Sequence, residues 1–229
     1  MKRFLVTPVI ALAAILVSLG LNACASTGTA TTASADARKP VAAADAKTRL
    51  EQGNARFVAG RSDHPRQTPD RRTELANVQH PFAVVLGCAD SRVGPEVVFD
   101  QGIGDLFVVR EAGNVIDDHA IGSIEYAVEH LHANLIVVLG HERCGAVAAA
   151  RAGHAEGHVE SLIRSIHPAV EQTRNQDATA TCQANVRNVV RALQNSNPIL
   201  RKKVQSGELV VVGAYYSLDT GAVSYLAAR

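Results

Sequence analysis

The chain has 229 residues, 47% of them hydrophobic, which is enough to bury a sizeable core in one domain. Its 23 Lys and Arg against 22 Asp and Glu leave a net charge of +1, so nothing electrostatic points to nucleic acid or an anionic surface as partner.

Lys2 and Arg3 give a positive start, an apolar run follows from Phe4 to about Leu21, and small residues surround Cys24. This order predicts a secretory signal over 1–24. The run is barely long enough to span a bilayer, and Pro8 with the small residues before Cys24 favours cleavage over anchoring. Leu21-Asn22-Ala23-Cys24 resembles a bacterial lipobox. That resemblance implies an exported protein, periplasmic or in the cell envelope, whose lipid-modified first residue, Cys24, anchors it to a membrane. Cleavage after Ala25 is the alternative, because Asn22 is unusual in that signal. Residues 25–45 are small and polar and predict a flexible linker. A single domain is then expected over 46–229.

In that domain, Leu50 and Phe57, with Gly60 as a stop, predict a helix over 46–60. Continuous apolar runs at 82–86, 106–109 and 135–139 predict strands covered on both faces. Ile121, Ile124, Val128 and Leu131 mark an amphipathic helix between the second and third runs. Helices are expected over Gly145–Ala152, Val159–Gln172 and Thr181–Ser196, and a fourth strand over Leu209–Tyr216. Asp219-Thr220-Gly221 predicts a turn from which Val223–Leu226 returns as an edge strand. Strands alternating with helices predict an α/β fold with a mostly parallel central sheet flanked by helices.

Ligands of such sheets bind beyond the carboxyl ends of the strands, and two strands here end alike. Val84-Val85-Leu86-Gly87 runs into Cys88, and Val137-Val138-Leu139-Gly140 runs into His141. Cys144 follows three residues later. Cys88, His141 and Cys144 form a three-ligand zinc set of the kind that leaves a fourth position open. A closed zinc site that only staples the fold, or two ordinary buried thiols, are the other readings of the spacing. Asp90 stands two residues from a ligand and can reach the metal's fourth position, while Arg92 can hold that carboxylate away in a bidentate pair. A purely structural site needs neither. The cysteines lack the C-x-x-C spacing of thiol redox motifs, and Cys182, on a helical apolar stripe, is expected to be a buried thiol.

Cys88-Ala89-Asp90-Ser91-Arg92 with His141-Glu142-Arg143-Cys144-Gly145 resembles the β-carbonic anhydrase signature, C-x-D-S-R followed by H-x-x-C-G. Further segments, such as Leu106-Phe107-Val108-Val109-Arg110 and Ala112-Gly113-Asn114, extend the likeness from 46 to the C-terminus. The resemblance implies one Zn2+ per chain on Cys88, His141 and Cys144, with Asp90 and Arg92 as a catalytic dyad. In some members the equivalent aspartate binds zinc itself, which makes Asp90 a candidate fourth ligand. It implies reversible hydration of carbon dioxide to bicarbonate, in a homodimer or homotetramer. Hydrolysis of carbon disulfide or carbonyl sulfide on the same scaffold, and non-catalytic zinc binding, are the alternatives. Gly113 and Gly145 are candidates to line the substrate pocket, since glycine lets backbone approach closely; Gly113 is otherwise a plain turn residue.

Overall fold

The structure, a computed structural model, describes residues 40–227. The signal, Cys24 and most of the linker therefore lie outside the described residues. Helix α1 spans Ala43–Val58. It starts three residues before the expected boundary, so the first turn takes in the end of the stretch read as linker. Two alanines and Asp45 in the first turn suit a helix start, and Ala46 and Leu50 give that turn a core to pack on.

There follow α2 (Pro69–Glu74), β1 (Ala83–Gly87), α3 (Pro95–Val98), β2 (Leu106–Arg110), a 3-10 turn at Ala112–Asn114 and α4 (Asp118–His130). Then come β3 (Leu135–His141), α5 (Gly145–Ala152), α6 (Val159–Gln172), α7 (Ala178–Gln194), α8 (Ile199–Gln205), β4 (Val210–Tyr216) and β5 (Val223–Tyr225). The three short helices α2, α3 and α8 have no counterpart in the sequence reading; at four to seven residues they carry no usable apolar period.

The sheet runs in the order β2-β1-β3-β4-β5. The first four strands are parallel, and β5 pairs antiparallel with β4. Alternation along each strand sorts the apolar residues to two faces. Val84, Leu86, Ile136 and Val138 pack against Ile124, Val186, Leu193 and Leu200 of α4, α7 and α8. Val85, Val137 and Leu139 pack against Leu50, Val98 and Phe99. Both faces are covered, which is why β1 and β3 read as unbroken apolar runs. A third cluster joins Cys88, Val115, Cys144, Val147, Ile163, Ile166 and Cys182. Among the described residues no helix is long and apolar enough to cross a membrane.

Candidate metal centre

Parallel register carries two strand ends to one edge. Gly87, the last residue of β1, pairs with Leu139 of β3; Cys88 follows at once, and His141 is the last residue of β3. Cys144 is the N-cap residue of α5. The ligand atoms of Cys88, His141 and Cys144 all lie within 4.8 Å of one another, and all three residues are buried.

His141 is 1% exposed. Its Nδ1 lies 2.8 Å from the Glu142 carbonyl oxygen, an acceptor that fixes the proton on Nδ1 and leaves the Nε2 lone pair free. Nε2 is buried without a hydrogen-bond partner. A buried imidazole nitrogen facing two thiols, with nothing to receive its lone pair, is what a metal ligand looks like before the metal is added. The donor set, two sulfurs and one nitrogen, fits zinc and excludes the hard oxygen-seeking cations.

The Cys88 sulfur accepts the Gly113 N–H at 3.1 Å and the Asp90 N–H at 3.4 Å. Pairing with Cys144 does most to lower the Cys88 thiol, and His141 and the two N–H groups add to it against the opposing effect of burial. The same pairing pushes Cys144 up, with burial adding to it. Gly113 has φ +72°, and a Cβ there would stand 2.7 Å from Ile166 Cδ1. Asn185 Nδ2 donates to its carbonyl at 2.8 Å. Thus Gly113, expected at the substrate pocket, meets the site through the ligand sulfur. Gly145 is the exposed first residue of α5.

Asp90, counted among candidate zinc ligands from sequence, stands outside the group of three. Arg92 Nε donates to Oδ1 at 2.9 Å and Nη2 to Oδ2 at 2.7 Å, and the Arg92 N–H reaches Oδ1 at 2.9 Å. Both oxygens are engaged, and the arginine holds the carboxyl well below the usual range. Oδ2 stays 3.9 Å from His141 Nε2, beside the ligand cluster without closing it. Arg110 Nε and Nη2 donate to the carbonyls of Cys88 and Asp90 at 2.8 and 2.6 Å. The sequence reading missed Arg110 because its partners are backbone groups 22 and 20 residues earlier, which no local spacing reveals. Cys182 is free and buried, as expected, in the apolar cluster behind the ligands.

A carbonic anhydrase family model matches residues 83–223. Carbonic anhydrase 2 of Mycobacterium tuberculosis is 46% identical over 190 residues, covering 80% of this chain and 90% of that protein. The carbonic anhydrase of Mycolicibacterium smegmatis is 44% identical over 192 residues, covering 80% and 92%. Among solved structures, a tetrameric β-carbonic anhydrase of the ascomycete Sordaria macrospora superposes with a TM-score of 0.65 at 28% identity, covering 79% of this chain and 95% of its own. A Coccomyxa β-carbonic anhydrase superposes with a TM-score of 0.63 at 29% identity, covering 75% and 80%. Sequence likeness over most of the chain and a shared overall fold lead to one assignment: this chain belongs to the β-carbonic anhydrase family.

Proposed function

We propose that the chain is a zinc-dependent enzyme converting carbon dioxide and water to bicarbonate and a proton, reversibly, with one zinc held by Cys88, His141 and Cys144. The observation that carries this reading is the three-donor cluster beside a carboxylate that Arg92 keeps off it; a zinc that only stapled the fold would need neither Asp90 nor Arg92. When bound, zinc supplies Lewis acidity that brings the pKa of water toward neutrality. Asp90 stays ionised and keeps a lone pair on Oδ2 beyond the one Arg92 uses, so it accepts a hydrogen bond from the attacking oxygen and aims it at the carbon. Arg92 holds Asp90 in that role, and Arg110 fixes the loop that carries both. Cys88 and Cys144 supply negative charge that tempers the metal.

Stopped-flow hydration of carbon dioxide by the zinc-loaded protein, beside turnover of carbon disulfide and carbonyl sulfide, tests the substrate. Rapid hydration is expected. Turnover of the sulfur analogues without hydration would assign the scaffold to them instead.

The enzyme works as a homodimer or homotetramer. In support, β2 is an apolar edge strand that stays partly exposed along its length in the single chain, Tyr126 beside Phe107 is exposed, and the Sordaria relative is tetrameric. Export and a lipid anchor on Cys24 are supported by the charged start, apolar run and lipobox-like end of 1–24. Cys24→Ser should release the protein from membranes or block processing. Unchanged membrane fractionation with normal cleavage would refute the anchor.

A further inference from the structure

Glu142 stands between two ligands, and its two ends are engaged in different directions. Its carbonyl oxygen receives His141 Nδ1–H at 2.8 Å. Its carboxylate accepts the Leu218 N–H at 2.9 Å and the Ser217 hydroxyl at 3.2 Å, both in the turn after β4. The next residue, Arg143, has φ +50°, a left-handed conformation that carries a penalty for any residue with a Cβ. The 142–143 peptide bears the carbonyl that holds His141, and φ of Arg143 is one of the two torsions that aim it. Something must hold this peptide against relaxation. Asp219 binds the Arg143 guanidinium at 2.6 and 3.1 Å, but both side chains are more than half exposed, and such pairs hold weakly. The Glu142 carboxylate is less exposed and meets a backbone N–H, a stronger bond of fixed geometry.

We propose that Glu142 is a positioning residue for the metal: its carboxylate, clamped to the Ser217–Leu218 turn, keeps its own carbonyl on His141 Nδ1 and so keeps Nε2 aimed at the cluster. Without the clamp, Arg143 relaxes to a right-handed conformation, the carbonyl turns away and the imidazole loses its lock. This role rests on the zinc reading above.

The test is the rate of zinc transfer from loaded enzyme to a chelator, with thermal unfolding recorded beside it. Glu142→Ala should release zinc about 10- to 100-fold faster, as expected when an outer-shell partner of a ligand is lost. Adding Arg143→Gly to that variant should recover most of the loss, because glycine keeps a positive φ without penalty. A merely structural Glu142 would not be rescued by a second, loosening substitution. Wild-type release from Glu142→Ala, or a double variant as leaky as the single one, overturns the inference. Nuclear magnetic resonance of the metal-free protein gives an independent reading: the His141 Nδ1–H should be protected from solvent exchange in wild type and exposed in Glu142→Ala. Equal protection in both overturns the role of Glu142, whereas failure of wild type to take up zinc overturns the zinc reading and leaves this arm to judge Glu142.

Discussion

At Cys88 a sulfur is held by two backbone N–H groups, and the shorter of these bonds requires Gly113 to keep φ +72°. Alanine there must adopt a left-handed conformation and press its Cβ into Ile166 Cδ1 and Ala146 Cβ, which a Cβ would meet at 2.7 and 3.1 Å. Strain of this kind costs about 1–3 kcal/mol. Gly113→Ala should therefore lower the melting temperature and also speed zinc loss, since relief of the clash draws the N–H away from the sulfur; chelator competition and calorimetry measure the two effects. At the dyad, Arg92→Ala should retain zinc, because Arg92 bonds Asp90 and the Arg143 carbonyl and none of the three ligand side chains, yet lose about 10- to 100-fold in hydration rate once Asp90 is unheld. Zinc content and stopped-flow rates on one sample check this. The five motif residues were legible in the sequence because their chemistry lies in residue type and in strand ends that coincide. Gly113, Arg110 and Glu142 act through backbone groups or partners far along the chain, and there the sequence shows only residues that could serve many ends.

Among the elements, α1 is tied down by buried polar groups. Asn54 Nδ2 donates to the carbonyls of Val98 and Gly221 at 3.0 and 2.8 Å, and its Oδ1 accepts the Val223 N–H at 2.9 Å. Asp100, 2% exposed, accepts the Asp63 and His64 N–H groups at 3.0 Å each and Arg56 Nε at 2.6 Å. Burial opposes its ionisation, but these bonds together outweigh burial and lower its pKa. A carboxyl lowered on folding stabilises the protein fully above its unfolded value, about 3.9, and that stability is lost as pH falls through the lower folded value. Asp100→Asn, which removes the charge, should cost about 2 kcal/mol at neutral pH, and the gap to wild type should narrow below about pH 4. Denaturant titrations across pH measure it; a gap independent of pH would mean that Asp100 is not ionised. The long elements were readable from apolar runs and helical periods, and α5 and α6 fall where expected. The start of α1 was not, since Ala43 and Ala44 look like linker until Ala46 and Leu50 give them a core to pack on.

In the whole molecule, two apolar layers cover the sheet, and a third cluster gathers around two of the ligands at its carboxyl edge. Strand register brings Cys88 and His141 together and the entry to α5 adds Cys144, which sets the three donors within 4.8 Å of each other, and Arg92 keeps Asp90 beside them rather than among them. In the single chain β2 is an apolar edge strand that stays partly exposed along its length. A partly exposed edge strand and a buried one share the same residue types, so the apolar run at 106–109 does not tell in sequence that β2 lies at an edge. The central claim is that one zinc on Cys88, His141 and Cys144 supports hydration of carbon dioxide, and the most direct measurement is titration of zinc into metal-free protein with the hydration rate followed by stopped flow. The rate should rise linearly and break at one zinc per chain, and Cys88→Ser, His141→Ala and Cys144→Ser should show neither the break nor the activity. Full zinc uptake by all three variants, or hydration that does not depend on added zinc, would contradict the account.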